Sequence, residues 1–217
     1  MAAATFTAAD VDYIRRNYLT LAQVCAGRAE TADAVRVLIE QGLLPRPSYV
    51  LDDGTEMVPA DYFRLVDEAG GSDNLQSHFA ERHRAAGGNP EELAEDWEGY
   101  MDGMYGVCLE EVVPETMVRK TQLVESIGEL LDHPQPDEAR WRRELRRQVD
   151  ELDALERQFA PDYDRSGRFE QLPTRDRLIG DSRRRYPEVF AEEIAQPFPT
   201  RRGQHDRAAG AGPLEPT

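Results

Sequence analysis

Trp141, Leu145, Val149, Leu152, Leu155 and Phe159 follow one another at steps of three and four, the spacing that lines one side of a helix. That stripe predicts the longest helix of the chain over residues 137–159, entered after the stop His133-Pro134-Gln135-Pro136. The same spacing recurs between other breaks. Thr7 caps a helix carrying Val11, Ile14 and Tyr18. Thr20 with Gln23 forms a capping-box pattern for a second helix ending near residue 26, and Thr31 caps a third, 31–41, that buries Val35, Leu38 and Ile39. Tyr49-Val50-Leu51 and Glu56-Met57-Val58 flank Asp52-Asp53-Gly54-Thr55, which predicts a hairpin. Further helices are expected over 60–69 and 74–86. One continuous helix is expected over 91–111, with Leu93, Trp97, Tyr100 or Met101, Met104 and Cys108 inward. Another starts with Pro114 in its first turn and ends near 131. Beyond Pro161 the period weakens: 162–173 reads as an ordered loop, 174–185 and 187–195 as short helices, and 197–217 as a disordered tail.

The fold class is therefore mainly α, and the glycine-rich joint 70–73 divides an N-terminal module, 1–69, from a helical domain, 74–196. The chain has 217 residues and 40% hydrophobic content, enough for a sizeable core. No apolar run is long enough to span a bilayer, and Met1 to Phe6 lack the basic start of a secretory signal. Two cysteines, Cys25 and Cys108, are too few for a disulfide framework, so a cytoplasmic, reducing location is expected. The net charge of −16 is unevenly spread: residues 1–136 hold 10 basic and 25 acidic side chains, residues 137–217 hold 16 and 17. Lys120 is the only lysine. An acidic front half repels phosphate backbones.

Residues 18–62, with two short capped helices, Gly42-Leu43-Leu44-Pro45 and the hairpin, resemble the winged helix-turn-helix of MerR-type regulators. The resemblance implies that the 31–41 helix enters the major groove and the hairpin grips the backbone. Here that helix carries one basic side chain, Arg36, and the wing region one, Arg46, beside Asp33, Glu40, Asp52, Asp53 and Glu56. The arginines usual in that wing are missing between Ser48 and Pro59, so DNA is the disfavoured partner.

Gly42-Leu43-Leu44-Pro45-Arg46-Pro47-Ser48-Tyr49, Tyr105-Gly106-Val107-Cys108-Leu109 and Pro173-Thr174-Arg175-Asp176-Arg177 resemble an uncharacterised actinobacterial family of natural product biosynthesis proteins, over nearly the whole chain except the tail. This implies a role in making a small molecule and brings no catalytic residue or cofactor with it.

Several residues invite chemical readings. Cys108 falls late in its helix, where the dipole disfavours a thiolate, so both cysteines read as small core hydrophobes. His78 and His83 are five apart and do not form the i, i+4 pair of a helical zinc site; no metal and no cofactor are expected. With Glu95, Asp96, Glu98 and Asp102 they read as solvated charge, with one histidine beside a carboxylate kept as a general-base alternative. Arg165, Arg168, Arg175 and Arg177 stand among aromatics in a segment without helical period, and such forks suit a ligand carboxylate or phosphate as well as a structural network with the alternating aspartates. No phosphate loop, dinucleotide fingerprint or nucleophile elbow is present.

The leading expectation is a protein of small-molecule biosynthesis that binds a small anionic metabolite, its catalysis left open. Arg165, Arg168, Arg175 and Arg177 would orient the anion, and Tyr163, Asp164, His78 or Tyr105 would move protons. Two alternatives stand beside it. One is a MerR-like, ligand-sensing regulator that forms a homodimer through the 137–159 helix and contacts DNA with Arg36 and Arg46. The other is a non-catalytic partner protein that docks a basic enzyme on its acidic face.

Overall fold

The computed structural model describes residues 6–158 and 174–191. The described residues form eleven α-helices and a small sheet. Thr7 caps α1 (Ala8–Asn17) and exchanges hydrogen bonds with Asp10; Thr20 does the same with Gln23 at α2 (Leu21–Val24), and Thr31 caps α3 (Ala32–Glu40). Each hydroxyl satisfies an amide that the helix start leaves unpaired. The hairpin forms from β2 (Tyr49–Val50) and β3 (Glu56–Val58), and β1 (Leu19–Thr20) adds a third antiparallel strand in the order β1-β3-β2. That strand was not expected from sequence: two residues carry no periodicity, and only pairing with Met57 and Val58 defines them.

The rest of the chain is helical. It comprises α4 (Arg64–Ala69), α5 (Leu75–Ala85), α6 (Leu93–Met101), α7 (Met104–Cys108), α8 (Pro114–Asp132) and α9 (Ala139–Leu155). After residue 174 come a π-helical turn over Arg175–Ile179, α10 (Gly180–Arg185) and α11 (Pro187–Phe190). The single helix expected over 91–111 is two helices. Gly103 adopts φ +74, and a Cβ there would stand 2.4 Å from the carbonyl oxygen of Arg46. The freed carbonyl of Met101 accepts the Arg46 amide at 2.7 Å, and Asp102 pairs with the Arg46 guanidinium at 3.3 Å. A contact distant in sequence ends α6.

One hydrophobic cluster crosses the 70–73 joint: Leu21, Val35, Leu44, Val58 and Phe63 pack with Phe79, Tyr100, Leu109 and Met117. A second cluster joins Leu123, Ile127 and Leu131 of α8 to Trp141, Leu145, Val149 and Leu152 of α9 and to Leu178, Ile179, Val189 and Phe190. The stripe on α9 is thus covered within the chain from Trp141 to Leu152, and these described residues offer no free apolar face for the homodimer expected through 137–159. Burial of such side chains stabilises by about 1.5–3 kcal/mol each before entropy is subtracted. No helix of the described residues is long and apolar enough to cross a membrane.

Candidate functional site

Leu75, Phe79 and His83 lie one turn apart on the inner face of α5, so His83 is carried into the core by the same spacing that buries the hydrophobes. On α6, Asp96 belongs to the inward stripe with Trp97 and Tyr100. The two meet: His83 Nε2 lies 2.9 Å from Asp96 Oδ2, the histidine wholly buried and the aspartate 5% exposed. The other carboxylate oxygen accepts the Tyr105 hydroxyl. Since a carboxylate only accepts, the histidine hydrogen is placed on Nε2, which leaves Nδ1 buried without a hydrogen-bond partner. His83 and Asp96 are therefore not the solvated charges expected from sequence.

Burial, reinforced by the Asp96 carboxylate, pushes the Tyr105 phenol well above its ordinary value. The phenol is a neutral donor whose hydrogen is committed to Asp96, and its oxygen keeps acceptor capacity. In this geometry the Tyr105 hydroxyl is a polar contact to Asp96 on the cavity wall.

Tyr105 forms part of the wall of a cavity of about 430 Å³ between α6–α7, α8 and the 174–179 turn. Gly99, Met104, Cys108 and Val124 form much of the remaining wall, with Lys120, Thr121 and Thr174; Glu95, Glu125 and Arg177 are exposed members. The Lys120 ammonium is held at 2.9 Å from Glu156 Oε1 and 3.5 Å from Cys108 Sγ, with the lysine side chain 13% and the glutamate side chain 3% exposed. A short antiparallel bridge between Leu109 and Glu156 brings the end of α9 to the end of α7. Burial pushes the Cys108 thiol up, and the nearby ammonium opposes this only in part. Cys108 closes α7, and this burial disfavours its thiolate.

The other expected site residues fall elsewhere. His78 Nε2 is 3.9 Å from Glu68 on the α4 side of α5, away from the cavity wall. Arg177 is the one predicted anion-binding arginine at the cavity among the described residues; only the backbone of Arg175 is described, on the π-helical turn. Tyr163, Asp164, Arg165 and Arg168 lie outside the described residues, as does the tail 197–217. Arg36 is bound to Glu56 at 2.7 Å and to Asp33, and Arg46 to Asp102, so both arginines assigned to DNA are occupied by carboxylates. Among the described residues no group of three or more His, Cys, Asp or Glu is placed to hold a metal ion.

Residues 66–187, more than half of the chain, match a family model described as a family of unknown function, DUF6058. The chain belongs to this family. The DUF6058 match contains the whole His83–Asp96–Tyr105 cluster and every wall residue of the cavity, whereas α1 to α3 and the sheet lie before it. No curated protein and no solved structure matches the chain.

Sequence reasoning kept a histidine beside a carboxylate as an alternative without choosing His83 and Asp96, and it missed the pair Lys120 and Glu156. The helical phase of His83 and Asp96 was a readable signal. The meeting of Lys120 with Glu156 had none, because it depends on how α7, α8 and α9 pack.

Proposed function

We propose that this DUF6058 protein binds a small anionic metabolite in the cavity between α6–α7, α8 and the 174–179 turn, as part of natural product biosynthesis in the cytoplasm. The observation that carries the reading is the cavity itself. Its volume lies within the usual range for small-molecule sites, about 300–1,000 Å³, and it offers few, fixed polar groups on a partly apolar wall. Arg177 supplies the fork for a carboxylate or phosphate. Glu95 and Glu125 repel a multiply charged anion, so the ligand is singly charged. The pairing of Arg36 and Arg46 with carboxylates sets the regulator alternative behind this one.

A thermal-shift and native-mass screen against monocarboxylate and phosphodiester metabolites, singly charged at neutral pH, tests the proposal. A ligand that raises the midpoint, and fails to do so in Arg177→Ala while that variant melts normally when unliganded, supports it. If none of the metabolites binds and promoter DNA alone shifts the midpoint at low salt, the regulator reading replaces it.

A further inference from the structure

The only lysine of the chain stands in the wall of its ligand cavity, beside a carboxylate that the fold has taken out of water. An isolated surface lysine is compact, hydrated and almost wholly protonated at neutral pH, so it reacts slowly with carbonyl compounds. A lysine enclosed next to a proton acceptor is the arrangement that imine-forming sites use. Lys120 meets both conditions, since its Nζ is 2.9 Å from Glu156 Oε1 and Glu156 is itself buried. The third neighbour, Cys108, has its thiol pushed up by burial, which disfavours the thiolate form. Arg177 lies in the same cavity and can hold a carboxylate while Lys120 meets the carbonyl.

We propose that Lys120 captures a small oxo acid as an imine, with Glu156 as its proton partner and Arg177 on the substrate carboxylate. The proposal rests on the anion-binding reading above for the carboxylate end. The ammonium passes one proton to Glu156, and neutral Nζ attacks the carbonyl carbon. The new C–N bond forms and the C–O bond breaks. The carbonyl oxygen leaves as water with two of the three ammonium hydrogens, and the third stays on the iminium nitrogen opposite the Glu156 carboxylate. Charge is conserved and no oxidant or reductant enters. An iminium in this position withdraws electrons from the adjacent carbon, the activation needed to break a bond there.

The chain has two primary amines, Lys120 and the α-amino terminus, which makes trapping unambiguous. The full-length protein is incubated with glyoxylate and cyanoborohydride at neutral pH, and the reduced adduct is mapped by peptide mass. The α-amino group is the internal reference, intrinsically the more reactive because its ordinary pKa is about 8 against about 10.4 for lysine. The expected result is faster modification of Lys120 than of the terminus, slowed in Glu156→Gln and in Arg177→Ala. Modification of the terminus with Lys120 untouched overturns the proposal, whatever the stability of the variants.

Glycolate, which has the carboxylate and no carbonyl, separates the two readings. A midpoint raised by glycolate without a Lys120 adduct from glyoxylate overturns the covalent step and leaves binding standing. Trapping of Lys120 that ignores both glycolate competition and Arg177→Ala overturns the anion reading and the oxo-acid assignment with it.

Discussion

Gly88 has an ordinary backbone, yet a Cβ there would lie 2.3 Å from His83 Cε1 and 2.5 Å from Nδ1. The turn after α5 is pressed onto the imidazole, and the missing side chain is what lets the ring stay flat against Phe79, 6.2 Å between centroids at 18°. Gly88→Ala should therefore cost about 1–3 kcal/mol through overpacking. His83→Ala should cost a similar amount, because it leaves Asp96 short of one donor in a dry site. The double variant should cost clearly less than the sum, since the smaller residue 83 makes room for the new methyl. Urea unfolding of the four proteins measures the coupling, and strict additivity would mean that the ring does not hold this position.

At the scale of elements, much of what was legible in the sequence was local. Thr7, Thr20 and Thr31 announced their helix starts by side-chain chemistry, and Pro114 sits in the first turn of α8 as its missing amide allows. The break at Asp102-Gly103 was not legible, because the apolar steps through Trp97, Met101, Met104 and Cys108 continue as if one helix ran on. What interrupts them is the Arg46 backbone, far away in sequence. Gly103→Ala should cost about 1–3 kcal/mol for a left-handed residue and more for the blocked approach to Arg46. Circular dichroism should show no gain in helix, and a gain would mean that α6 and α7 can fuse. A different balance holds on α9, where Glu144 accepts from Arg147 and Gln148 and its carboxyl is lowered to about 2 from 4.5. A carboxylate lowered by folding stabilises fully above its unfolded value and loses that contribution as pH falls through its folded one. The side chain is 42% exposed, so solvent screening holds the effect under about 1 kcal/mol. Glu144→Gln should lose that much at neutral pH, only part of it near pH 2 and nothing well below that, as paired urea titrations would show; a loss persisting at the lowest pH would trace it to packing.

For the whole molecule, the candidate site exists only because the five successive helices α5 to α9 converge. Lys120 reaches Glu156 across the α8–α9 contact, and Asp96 reaches His83 and Tyr105 from a helix between theirs, which is why no motif announced either group. The same convergence ties the two hydrophobic clusters together: Met117 belongs to one and Leu123 to the other, less than two turns apart on α8. One cannot unfold and leave that helix intact for its neighbour. The two tryptophans make this measurable, since Trp97 packs against the first cluster and Trp141 lies within the second, its indole N–H donating to the Leu130 carbonyl at 3.1 Å. Trp97→Phe and Trp141→Phe each leave a single tryptophan, excited selectively over the eight tyrosines, in one cluster. In each variant the fluorescence transition in urea should coincide with the loss of helical circular dichroism, as cooperative unfolding requires. A Trp141 signal that changes at a lower urea concentration than the helical signal would show α9 and the C-terminal helices opening first. The wall that holds Glu156 and Arg177 would then be a separable unit, and ligand binding should raise that early transition before it raises the other.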